Sequence, residues 1–120
     1  MERRATIRER AFQFGLGVMR IVPAVRGLGP EFLPVADQLS RSATAVGALL
    51  EEGATAESRR DMAHKHRLAL REARESAYWL RLARERGGNR EALIPLEREA
   101  NELSAMLATS VKKLQLPRRT

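Results

Sequence analysis

The chain has 120 residues and 43% hydrophobic content, enough for one domain with a single core and too apolar for generic disorder. Its 22 basic residues against 15 acidic ones (22 − 15 = +7) and pI ≈ 11.1 point to an anionic partner: nucleic acid, a membrane surface or an acidic protein. The absence of cysteine excludes disulfides and thiolate metal sites and fits a reducing cytoplasm. No run reaches the ~18 apolar residues of a membrane span, and a charged N-terminus interrupted by Gln13, Gly15 and Gly17 makes a poor signal peptide.

Aromatic residues are only 4% of the chain, so its alanine- and leucine-rich composition favours packed helices over sheets. Ile7, Ala11, Phe14, Val18, Ile21 and Val25 recur at alternating steps of four and three, which predicts a first helix over about 5–25. Gly15 and Gly17 each cost up to ~1 kcal/mol inside a helix, a loss offset where a neighbouring helix comes close. Pro23 should end or kink the last turn. A turn at Arg26-Gly27-Leu28-Gly29-Pro30 leads to a second predicted helix over 31–52, with Pro34 in its first turn and Gly53 as its stop. Its seam is Phe32, Ala36, Leu39, Ala43, Val46 and Leu50. The small residues between them, among them Ser40, Ser42 and Gly47, predict packing against more than one neighbour.

The third predicted helix, over 58–86, contains no proline or glycine and has Thr55 or Ser58 to cap it. Its seam is Ala63, His66, Leu70, Ala73, Ala77 and Leu80, and Gly87-Gly88 closes it. Asn89 can cap a fourth helix over about 91–114. Pro95 lies late for a first turn and moves the expected start toward Ile94. Leu93, Leu96, Ala100, Leu103, Leu107, Ser110 and Leu114 form its stripe, and the basic tail Pro117–Thr120 is expected to fray. Four amphipathic helices joined by short turns predict an all-α, antiparallel up-down-up-down four-helix bundle that occupies 1–120 as one domain.

Beside the seam of the third helix runs a second line: Arg60, His64, Arg67, Arg71, Arg74, Tyr78 and Arg81, again at steps of three and four. Its arginines extend over about 30 Å at 1.5 Å per residue. Guanidinium forks suit phosphate, and Tyr78 and Trp79 can stack on bases or serve packing. Three readings stand: an anion-binding row, a row of intersubunit salt bridges, and a solvated face laced with the i,i+4 pairs Arg71–Glu75 and Arg81–Glu85. Lys112 and Lys113, with Arg118 and Arg119, either extend the basic surface or complement the helix dipole. Arg3, Arg4, Arg8 and Arg10 read as a solvated basic end.

Little else carries chemistry. Asp61 and His64 have a di-metal spacing, but such sites need two copies of the motif, and only one is present. His66 on the seam reads as a hydrogen-bonded, partly buried residue. Ser40, Ser42 and Ser104 lie in helix interiors, and Gly27-Leu28-Gly29-Pro30 lacks the lysine and strand of a phosphate loop. No enzyme, cofactor or metal is expected.

Gln38, Leu39, Arg41, Ala43, Ala48, Glu52 and Gly53, with Val46 as a conservative match, resemble a signature approximating QLRRAAVSIPANIAEG. That signature marks the bacterial four-helix bundle family named for 23S rRNA intervening sequences. Ala69, Leu70, Glu75, Leu80, Leu82, Ala83 and Gly87 follow its second pattern. Leu49-Leu50-Glu51 replaces the Asn-Ile-Ala of the signature, and Gly47 its proline, so the role of that asparagine does not carry over. The resemblance implies an antiparallel bundle assembled as a homopentameric ring. It also implies a related branch, the accessory variability determinant proteins of diversity-generating retroelements, which bind nucleic acid and a reverse transcriptase.

These readings combine into an expected non-enzymatic, cytoplasmic protein. It binds RNA or DNA backbone through Arg60, Arg67, Arg71, Arg74, Arg81, Lys112 and Lys113, and the resemblance adds the role of accessory factor to a reverse transcriptase. The alternative is an assembly or adaptor protein whose arginines contact other subunits or an acidic protein.

Overall fold

The computed structural model describes residues 5–117. Arg3, Arg4, Arg118 and Arg119, named above as basic ends, lie outside them. Four helices make up the domain: α1 (Ile7–Arg26), α2 (Leu33–Ala54), α3 (Arg59–Glu85) and α4 (Arg90–Gln115), with a single 3₁₀ turn at Pro30–Phe32 before α2. No strand is present among the described residues.

Local chemistry sets the helix ends. Thr6 and Glu9 form a reciprocal capping box, with Glu9 N–H donating to Thr6 Oγ1 at 3.1 Å and Thr6 N–H to the Glu9 carboxylate at 3.4 Å. Of the two caps expected for α3, Ser58 is used; its Oγ accepts the Asp61 N–H at 3.0 Å. Gly87 takes φ +107° after α3, and the Gly88 N–H closes back on Ala83 O at 2.9 Å.

Every helix end lies a residue or two from the expected bounds, and three of the differences have a local cause. Pro30 opens a 3₁₀ turn, so α2 begins at Leu33 rather than 31. Gly53 does not stop α2, which continues to Ala54; a Cβ at Gly53 would lie 3.2 Å from the His66 ring, so the glycine there permits close packing. Helix α4 starts at Arg90, not near Ile94: Asn89 Oδ1 accepts the Glu91 N–H at 3.1 Å, and the helix runs on through Pro95.

α1 and α3 each pack on both α2 and α4. Phe14, Val18, Leu39, Val46, Leu50, Leu80, Leu103 and Leu107 fill the middle. Burial of such side chains contributes about 1.5–3 kcal/mol each. The backbones of α1 and α2 come close at the glycines. A Cβ at Gly15 would meet Ala43 O at 3.6 Å, and one at Gly47 would meet Ala11 O at 3.6 Å. Two serines lie fully buried between α2 and α3, with Ser42 Oγ and Ser76 Oγ 2.8 Å apart, and no buried side-chain N or O among the described residues lacks a partner.

Candidate nucleic-acid interface

In α3 the buried residues are Ala63, His66, Ala69, Leu70, Ala73, Ser76, Leu80 and Ala83. With about 100° per residue, Arg60, Arg67, Arg71, Arg74 and Arg81 fall to one side of that line. All five are exposed. The row therefore flanks the packing seam, about a third of a turn round the helix from it.

None of these five guanidiniums has a carboxylate within ion-pair distance among the described residues, whereas six arginines elsewhere do. Arg8 pairs with Glu51, Arg10 with Glu99 and Glu102, and Arg26 with Asp37. Arg41 pairs with Glu72 and Glu75, Arg84 with Glu97 and Glu85, and Arg86 with Glu31. The two intrahelical pairs expected to neutralise the row do not form. Glu75 turns to Arg41 of α2, not to Arg71, and Glu85 turns to Arg84, not to Arg81. No short-range spacing signals the Arg41 clasp, because its partners lie 31 and 34 positions away. Arg8 and Arg10, read as a solvated end, are held by acids on α2 and α4.

The clasp leaves its mark on protonation. Hydrogen bonding to Glu75 raises the Arg41 pKa above its ordinary value. Burial pushes the Glu75 carboxyl up, but hydrogen bonds from Trp79 and Arg41, with the charge of Arg41, outweigh it and hold the group below the usual carboxylate range. Like charges at Arg67–Arg71 and Arg71–Arg74 repel by about 0.2–0.5 kcal/mol per pair. The row thus presents a strip of positive potential whose natural complement is an anion.

The two aromatics take different roles. Trp79 is half-buried against the core, and its Nε1–H donates to the Glu75 carboxylate at 2.9 Å. It is not free to stack on a base. Tyr78 is 56% exposed and lies within the arginine row. Lys112 and Lys113 are exposed in the last turn of α4. Arg59 donates to Lys113 O at 2.6 Å and Leu114 O at 3.0 Å, which brings that turn to the Arg60 end of α3. Sequence reasoning passed over Arg90 and Arg98, exposed cations that line an open groove with Arg84 between α3 and α4.

His66 is 6% exposed, and its Nδ1 lies 2.7 Å from Ser110 Oγ. Burial lowers its pKa below the ordinary 6.5. Asp61 and His64 are exposed, and no three histidine or acidic side chains cluster as a metal site among the described residues. No helix of the described residues is long and apolar enough to cross a membrane.

Fold and surface together define a basic, all-α four-helix bundle. The chain belongs to the 23S rRNA-intervening sequence protein family, whose model matches residues 4–109. It is similar to a crystal structure, determined at 1.70 Å, of a protein of unknown function from the S23 ribosomal protein family of Bacteroides thetaiotaomicron VPI-5482. Identity is 26%, TM-score 0.79, and the match covers 89% of this chain and 99% of that one. No curated protein matches the chain.

Proposed function

We propose that this protein is a non-enzymatic, cytoplasmic bundle that binds the phosphate backbone of RNA or DNA through the α3 arginine row. The observation that carries the reading is the pairing pattern. Three acids of α3, Glu72, Glu75 and Glu85, are drawn to Arg41 and Arg84, while Arg60, Arg67, Arg71, Arg74 and Arg81 stay exposed without an acid in ion-pair range among the described residues. Lys112 and Lys113 extend the surface at the Arg60 end. Such contacts carry little sequence information and weaken as salt rises.

Ties between successive helices support an up-down-up-down topology: Arg8–Glu51 and Arg26–Asp37 between α1 and α2, Lys65–Glu52 and Arg41–Glu72 between α2 and α3, and Arg59–Lys113 and Arg84–Glu97 between α3 and α4. Assembly as a ring, a pentamer on the family resemblance, would repeat each row and add avidity.

A surface patch favours a second reading, an assembly or adaptor protein. Phe12 (65% exposed), Leu16 (37%) and Met19 (48%) line one side of α1 over a floor of Gly15, Gly47 and Ala48. Exposed apolar faces of this kind mark protein contacts. On that reading the arginines meet acids of a neighbouring subunit or of an acidic partner, a reverse transcriptase among the candidates.

Fluorescence anisotropy with labelled RNA and DNA oligonucleotides separates the two. Binding at low salt that is lost in the Arg67→Ala/Arg71→Ala/Arg74→Ala variant supports the first. Absence of binding, together with dissociation of the oligomer in that variant, supports the second.

A further inference from the structure

Within the row, Tyr78 differs from the arginines around it: it is an aromatic ring left open to solvent and in contact with a second, half-buried ring. The ring centroids of Tyr78 and Trp79 are 5.1 Å apart with planes at 72°, an edge-to-face contact. Trp79 is itself fixed on two sides. Its indole packs against the core, and its Nε1–H is bound by Glu75, which Arg41 of α2 holds in turn. A chain of contacts therefore runs from α2 through Arg41, Glu75 and Trp79 to the tyrosine ring. Tyr78 also borders a shallow surface hollow of about 480 Å³ between α3 and α4, lined by Arg81, Arg84 and Asn101 as well. Glu85 and Glu97 border it too, and Arg84 pairs with both. Arg74 and Arg81 stand four residues before and three after Tyr78, on the same face.

We infer that Tyr78 is a base-stacking platform and that the row's ligand is single-stranded nucleic acid rather than duplex. The inference rests on the backbone-binding reading above. In a duplex both faces of every base are already stacked, so a ring projecting from a phosphate-binding row gains nothing from it. In a single strand an unstacked base lies over the ring while Arg74 and Arg81 take the flanking phosphates. The Asn101 amide, with one acceptor and two donors, is placed at the hollow to meet the edge of that base. Stacking on an aromatic side chain is sequence-tolerant, because every base has a π-face. The hollow between α3 and α4 gives the displaced base somewhere to go.

The test uses the full chain and compares a single-stranded oligonucleotide with a blunt-ended two-strand duplex of equal phosphate count, at one salt concentration. Tyr78→Ala is expected to weaken single-strand binding by about fivefold to a hundredfold, to leave duplex binding unchanged, and to keep the far-UV circular dichroism of the parent. Tyr78→Phe, which retains the ring, is expected to bind as the parent does. The chain has one tryptophan, so Trp79 emission is a second readout. It is expected to change on single-strand addition in the parent and not in Tyr78→Ala. Unchanged single-strand affinity in Tyr78→Ala overturns the inference. If the arginine triple variant still loses binding in that case, backbone recognition stands without base stacking. If the parent protein binds neither oligonucleotide, both fail together.

Discussion

Arg41 of α2 reaches across to Glu75 of α3, and by doing so leaves Arg71, four residues before Glu75, without the acid its spacing offers. One interhelical clasp thus binds two elements together and unmasks the charge of the arginine row. Arg41→Met is expected to lower stability by up to about 1 kcal/mol, since the pair is partly solvent-exposed. It is also expected to shift Trp79 emission, because the clasp orients the carboxylate that accepts from the indole. Urea unfolding followed by the single tryptophan measures both.

His66 makes stability depend on pH. Burial favours the neutral imidazole, so the folded-state pKa lies below the ordinary 6.5 and the unfolded chain takes up its proton first as pH falls. The contribution is complete above 6.5 and is lost as pH drops through that value toward the folded pKa. The denaturation midpoint should therefore be lower at pH 5.5 than at pH 7.5. His66→Asn, which can still reach Ser110 but does not titrate, should show a smaller difference over that interval.

The buried Ser42–Ser76 pair should behave as a unit. Each hydroxyl has a backbone carbonyl as a second partner, Leu39 O at 3.3 Å for Ser42 and Glu72 O at 2.9 Å for Ser76. Either single alanine variant is expected to destabilise by about 1 kcal/mol, and the double variant by less than the sum, because both single variants lose the same hydrogen bond between the two hydroxyls. A double-mutant cycle by chemical denaturation reads the coupling.

Gly15 offers a stabilising substitution. A Cβ there meets Ala43 O at 3.6 Å and Thr44 Cα at 3.7 Å, ordinary van der Waals distances, in the interior of α1. Gly15→Ala is expected to raise stability by up to ~1 kcal/mol through helix propensity. Thermal unfolding that shows a loss would mean that α1 and α2 approach more closely than this.

The seam expected for the second helix is legible in full: Phe32, now in the 3₁₀ turn, and Ala36, Leu39, Ala43, Val46 and Leu50 of α2 are all buried. Apolar spacing decides which face of a helix turns inward, and that spacing is local. Ser42, Ser76, Gly53 and Ala83 are buried as well, yet no apolar stripe contains them. Their burial follows from each helix having two neighbours, and from small residues allowing those neighbours to come close. In the row, the positions and exposure of Arg67, Arg71 and Arg74 could be read from steps of three and four. Their lack of acids could not. Intrahelical spacing assigned Glu75 to Arg71, whereas the fold brings Arg41 to it across 34 positions. Trp79 and Tyr78 are adjacent in sequence, and only the packing of α2 beside α3 makes one a support and the other an exposed ring.

The most direct measurement of the central claim is the salt dependence of binding to a single-stranded oligonucleotide. Each phosphate contact on a single strand contributes about −0.7 to the slope of log K against log[salt]. Replacing Arg67, Arg71 and Arg74 together with alanine should therefore make that slope shallower by roughly 2, with affinity lost most strongly at low salt. An identical slope and affinity in the triple variant would contradict the account, because the phosphates would then be held elsewhere on the molecule.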